Sequence, residues 1–151
     1  MRTPTDTDEE RLAAAQARLP HFLHEAHQAC HWLLETTDAA KAQLWMVKLE
    51  LALPAVSQLF ANEDIPPDEQ REWLFPLTAL LGEYLNQQFR GAWVVDDAPT
   101  SHSFARPIVQ WQHHAQEIHR LDVMGRAVDF LAKPPPRDLL ALVTDPPGTA
   151  A

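Results

Sequence analysis

Leu81-Gly82-Glu83-Tyr84-Leu85 and Gly91-Ala92-Trp93-Val94-Val95-Asp96-Asp97 together decide the fold of this chain. The first run reads as the end of an amphipathic helix. Gly91 reads as its exit, in the left-handed conformation that glycine adopts without a Cβ penalty. Ala92–Val95 then reads as a short strand closing on two acids. This junction of helix and strand predicts a helix-dominated α+β fold. Trp93 should pack where the strand meets the Leu77–Tyr84 helix.

Working back from that junction, Pro67, Asp68 and Glu69 open the same helix, with a proline and acids in its first turn. Its core stripe is Trp73, Leu74, Leu77, Leu80, Leu81, Tyr84 and Leu85, and Pro76 predicts a bend. Asn62–Pro67 is a loop. Residues 39–60 have two readings. Trp45, Val47, Leu49, Leu51 and Leu53 alternate as in a strand, whereas the Ala, Leu, Lys, Glu, Gln and Met content favours helix. Length decides for a largely buried helix, bent or restarted at Pro54.

The first helix starts near Asp8 and carries its apolar stripe on Leu12, Ala15, Leu19, Phe22, Leu23, Ala26, Cys30 and Leu33. Pro20 predicts a kink or restart. Thr37-Asp38 marks the break, with Asp38 as a candidate N-cap for the next helix.

Working forward, Phe104–Trp111 is a second strand, joined to Ala92–Val95 by the loop Asp96–Ser103 in a short antiparallel hairpin. Helix returns over Leu121–Ala132 and ends at Pro134-Pro135-Pro136. Asp138–Val143 forms a last short helix. The 151 residues suffice for a single domain, 1–151, with tails at 1–8 and 145–151.

Composition narrows the function. Twelve basic against 21 acidic residues give a formal charge of −9. That argues against nucleic acid, whose counterions Lys and Arg must replace, and against an anionic membrane surface. It leaves a protein partner, a basic one by charge complementarity. Cys30 is the single cysteine, so no intrachain disulfide forms; on the apolar stripe it reads as a buried, inert thiol. The acidic start Thr5–Glu10, without an apolar stretch behind a basic one, predicts no secretory leader, and no run approaches about 18 apolar residues, so the cytoplasm is the expected compartment.

Four constellations hold residue types that can carry chemistry or binding. His24, His27 and His31 share one helix face, and His27 and His31 have the i, i+4 spacing that two metal-ligating imidazoles need. His113, His114 or His119 would complete the set; the plain alternative is a solvated polar flank. Ser101-His102-Ser103 beside Asp96 and Asp97 holds the residue types of a hydrolytic triad but has no nucleophile elbow, and reads as a solvated loop. The glycines are too scattered for a phosphate-binding loop, so no cofactor is expected. The acidic run Glu63, Asp64, Asp68, Glu69 and Glu72, with Arg71 alone against it, reads as a helix start complementing its dipole or as a landing patch for a basic partner. Asp96 and Asp97 extend that acidic surface. Trp93 or Trp111 becomes an interface anchor if the hairpin is exposed.

Gly82-Glu83-Tyr84-Leu85, Gly91-Ala92-Trp93 and Arg106-Pro107-Ile108-Val109 resemble small uncharacterised bacterial cytosolic proteins with a G-x-Y-L helix and a G-x-W strand start. The resemblance covers roughly residues 77–132. Some of those proteins look like immunity or accessory proteins in polymorphic-toxin loci, and the motifs imply no catalytic residue. The expectation is therefore a non-enzymatic protein-binding module, an immunity or adaptor protein for a basic effector. The alternatives are a metal-binding protein or metal-dependent enzyme using the histidine row, and a structural subunit of a larger assembly.

Overall fold

A computed structural model describes residues 6–113 and 117–144. The expected tail at 145–151, and residues 1–5 of the other, lie outside these. Within them run six α-helices and a three-stranded antiparallel sheet. The helices are α1 (Asp6–Asp38), α2 (Ala42–Val47), α3 (Leu53–Ala61), α4 (Pro67–Phe89), α5 (Val123–Ala132) and α6 (Leu139–Thr144); the strands are β1 (Ala92–Val95), β2 (Pro107–His113) and β3 (Glu117–Leu121).

The fold is built on α4. Leu77, Thr78, Ala79, Leu80, Leu81 and Gly82 are all buried, so this turn and a half is enclosed on every side. α1 packs on one flank and α5 on another, and the sheet covers the C-terminal half. Pro20 and Pro76 each lie inside a helix that continues past them. A lone proline costs a backbone bond, but tertiary packing of the flanking stripe can hold the helix through it. Phe22 and Phe75, close neighbours of these prolines, meet edge to face at 5.8 Å where α1 meets α4. α1 begins at Asp6, two residues before the expected start, and Asp8 is buried.

Over residues 39–60 the helical reading holds and the strand reading does not: a helix restarts at Pro54 as expected, but it is already broken once before that point. α2 ends at Lys48 (φ −140°, ψ 87°), a 3-10 turn covers Leu49–Leu51, and α3 follows with Pro54 in its first turn. Trp45, Leu49 and Leu53 are buried at i, i+4, i+8, whereas Val47 and Leu51 are exposed. The apparent alternation is therefore helical spacing with two outward apolar residues. Asp38 does not cap α2: its carboxylate accepts the Ala40 N–H at 3.1 Å and closes the turn after α1, and Lys41 precedes α2 without a side-chain cap.

The hairpin is one strand short of the observed sheet. β1 and β2 pair with Trp93 opposite Val109, and β2 and β3 with Trp111 opposite His119. β2 starts at Pro107, since Phe104 belongs to the preceding loop, and Leu121 ends β3 rather than opening α5. Asp122 caps α5, accepting the Gly125 N–H at 3.0 Å. β3 was hidden because Glu-Ile-His-Arg-Leu is mostly exposed and too short to show a period.

The helix exit also differs. Arg90, not Gly91, takes the left-handed conformation (φ 53°, ψ 42°). Gly91 is needed for space: a Cβ there would stand 2.7 Å from the Gln110 carbonyl oxygen of β2. Trp93 is placed as expected. It is 6% exposed, its ring lies against Gly82, and Phe22 meets it edge to face at 5.0 Å.

The C-terminal segment is pinned by a buried cation. Arg137 Nη1 donates to the carbonyls of Phe60 (3.1 Å) and Glu63 (2.6 Å), and its backbone N–H to that of Ala61 (2.8 Å). A positive group is thus set on the carbonyl end of α3, where the helix dipole favours it.

Candidate functional site

The acidic residues named from sequence form two separate groups. Glu63 and Asp64 in the α3–α4 loop and Asp68, Glu69 and Glu72 at the start of α4 are all exposed and follow one another around a single corner. Arg71 is the one base within the run; the Arg137 guanidinium lies beneath it on the Glu63 carbonyl. One turn beyond Glu69 stands Trp73, and on it leans Trp32 of α1, ring centroids 5.7 Å apart and tilted 42°. Trp32 is 50% exposed. Next to it on α1, His31 Nδ1 meets Glu35 at 2.7 Å. An exposed indole backed by a second ring, beside acidic side chains, is suited to a Lys or Arg head group by cation–π attraction and ion pairing.

Asp96, Asp97 and Trp93 lie elsewhere. Trp93 and Trp111 are core residues, so neither is an exposed anchor. Trp111 is sandwiched between Phe89 (5.2 Å) and His119 (5.4 Å). Asp97 pairs with Arg120 at 2.9 Å across the sheet. Asp96, 4% exposed, organises the β1–β2 loop. Its carboxylate accepts the Ala98 N–H (2.9 Å) and the Ser103 hydroxyl (2.5 Å), and its backbone pairs with Ala105 and Arg106. Burial opposes its ionisation, but hydrogen bonds from Ser101, Ser103 and Ala98 and the charge of Arg120 outweigh that and hold its carboxyl below the usual value. Ser103 donates directly to Asp96 with no imidazole between them, while His102 is exposed. The triad reading does not fit that geometry, because no imidazole relays between the serine and the acid.

The histidine row is solvated, with His24 and His27 exposed and His31 turned to Glu35. The His113 side chain and all of His114 lie outside the described residues, and His119 is stacked on Trp111 in the sheet. Among the described residues, no three His, Cys, Asp or Glu side chains converge as a metal site would require.

Between α1 and α4 the buried Cys30 thiol lies near the half-buried carboxyl of Glu83. Burial raises the Glu83 carboxyl, against the lowering effects of His27 and of the Trp93 indole. The buried Trp93 Nε1 is near enough to favour the ionised carboxyl but does not reach it in a hydrogen bond of ordinary geometry. Burial, and then the Glu83 charge, pushes the Cys30 thiol up to about 12. Cys30 is a protonated thiol at neutral pH, as its place on the apolar stripe suggested.

Sequence reasoning missed Trp32. The signal was available: Trp32 stands about 200° around the helix from Cys30 at 100° per residue, off the apolar stripe. None of the described helices is long and apolar enough to cross a membrane. Comparison with protein-family models, curated proteins and solved structures finds no match.

Proposed function

We propose that this chain is a non-enzymatic, cytoplasmic binding protein for a basic protein partner, of the immunity or adaptor type. The observation that carries the reading is Trp32, half exposed on Trp73 beside the acidic start of α4. Charge supports it: five exposed carboxylates share one corner with one arginine in their run, in a chain of net charge −9. Hot spots favour an aromatic residue seated on a packed neighbour, with charge around it setting partner choice and association rate.

Affinity capture from the native source tests it. Wild-type protein should retain a basic protein in a salt-sensitive manner. Trp32→Ala should lose it with a modest drop in melting temperature, since the half-exposed ring packs on Trp73, and Glu69→Lys/Glu72→Lys should slow its association with the melting temperature nearly unchanged because both carboxylates are exposed. Retention of the same proteins by all three chains would overturn the reading.

A second reading, a subunit of a larger assembly, draws on a different surface. Leu44, Val47 and Leu51 are all exposed, Val47 at 78%. Three outward apolar side chains within eight residues are characteristic of a contact surface. If they mediate self-association, light scattering should show an oligomer that Val47→Glu dissociates.

A further inference from the structure

A cleft of about 540 Å³ separates the first half of α1 from the Phe104–Pro107 segment. Arg11, Ala14, Ala15 and Arg18 line its α1 wall, at the i, i+3, i+4, i+7 spacing of one helix face. The two alanines leave open the space that larger side chains would fill. Leu19, Phe22, Phe75 and Phe104 supply the apolar lining.

Three of the chain's twelve basic residues meet here, in a protein of net charge −9. Arg106, on the far wall, is oriented by Asp122 (3.0 Å) and the His102 carbonyl (3.2 Å). Arg11 lies over the Phe104 ring, 5.4 Å from its centre. Arg18 has no ion pair among the described residues. The acids that face the cleft are Glu10 and Glu25, and Glu25 is engaged by His21.

With Asp122, Glu10 and Glu25 set against the three arginines, the cleft is close to neutral. It has no excess positive charge to hold a polyphosphate. What it offers is guanidinium N–H groups on Arg11 and Arg18, free of carboxylate partners among the described residues, beside an aromatic wall, the pairing that suits a single carboxylate joined to an apolar body. Its volume falls within the range of small-molecule pockets. We propose that this cleft binds a small amphipathic carboxylic acid, its carboxylate on Arg11 and Arg18 and its apolar body against Phe22, Phe75 and Phe104. This site is independent of the protein-binding surface.

Titration of the isotope-labelled protein with octanoate, followed by amide NMR, tests it, with octanol and octylamine as matched probes. Octanoate should shift amides of residues 10–25 and 104–107 in a saturable manner, and octanol and octylamine should bind at least about tenfold more weakly. Arg18→Ala, at an exposed position, should weaken octanoate about tenfold or more, the worth of a charge-assisted hydrogen bond. Arg18→Lys should recover part of that loss. Ala14→Leu should abolish binding by filling the wall; if it impairs folding, the Arg18 pair decides. Equal binding of the three probes, shifts outside these segments, no saturable shift, or an Arg18→Ala chain that binds as wild type would each overturn the proposal.

Discussion

Gly82→Ala should destabilise this protein, although alanine is the better helix former. On propensity alone the change favours the folded state by about 1 kcal/mol. The structure reverses the sign. A Cβ at Gly82 would stand 1.9 Å from Trp93 Cζ2 and 2.2 Å from Cη2. Ordinary contact begins near 3.4 Å, so the ring would have to retreat by about 1.5 Å. It has little room, since Phe22 abuts it edge to face and its backbone is paired opposite Val109. Overpacking of this kind costs typically about 1–3 kcal/mol and occasionally more. A clash this deep belongs at the upper end, leaving a net loss of about 2 kcal/mol after the propensity gain. For a chain of this size that lowers the melting temperature by roughly 4–8 °C. The decisive assay is a double-mutant cycle in urea. Trp93→Ala alone should cost about 3–5 kcal/mol. In that background Gly82→Ala should become neutral or stabilising by up to about 1 kcal/mol, because the ring is gone. If Gly82→Ala stabilises the wild type, or costs the same in both backgrounds, the account of this helix–strand junction is wrong.

Three further outcomes follow from neighbouring contacts. Gly91→Ala should cost about 1–3 kcal/mol through its clash with the Gln110 carbonyl, whereas Arg90→Gly, which relieves a left-handed residue, should be neutral or stabilising by up to about 1 kcal/mol; urea midpoints separate the two. Arg137→Met should cost about 2–4 kcal/mol by removing a buried cation from the Phe60 and Glu63 carbonyls, read from the same denaturation curves. Ser103→Ala should raise the Asp96 carboxyl towards its ordinary value of about 3.9. Because the folded carboxyl is held low, its stabilisation is complete above that value and is lost as pH falls through the depressed folded one. Wild type should therefore exceed the variant most at neutral pH, with the gap closing under acid; a gap that is constant with pH would refute the assignment.

What could be read from sequence follows from how local each signal is. The α1 stripe, apart from Leu23, which is exposed, and the Pro67 start of α4 were legible because periodicity and first-turn chemistry are properties of a few adjacent residues. The Trp93 contact was legible because a glycine and a tryptophan flank one junction. The glycine exit was misread for a physical reason. Gly91 signals either a left-handed residue or a close approach, and only the register of β2, which sets Gln110 opposite Ala92, decides between them. Trp45-to-Leu53 misled because two outward apolar residues, Val47 and Leu51, imitate alternation. β3 was invisible because an exposed third strand gains its stability from β2 rather than from its own composition. The acidic corner was named correctly as a run, but joining Asp96 and Asp97 to it needed a distance that sequence does not carry. The cleft depends on which loop faces Arg11 and Arg18, a long-range property of the same kind.

The two surfaces assigned to α1 are separable by its length alone. Arg18 and Trp32 are fourteen positions apart, about 21 Å along the axis at 1.5 Å per residue. Arg18 faces the Phe104–Pro107 segment, and Trp32 leans on Trp73 near the first turns of α4. Both side chains are exposed, so replacing either removes no core contact from the other surface. Phe22 joins the regions mechanically, since it touches both Phe75 and Trp93. A change at Phe22 would therefore disturb the cleft and the helix–strand junction together, whereas changes at Arg18 and Trp32 act on one surface each. That arrangement explains how one long helix can carry an acidic aromatic contact and a guanidinium-lined cleft in a chain whose overall charge suggests only the first. Net charge averages over α1; the placement of its side chains does not.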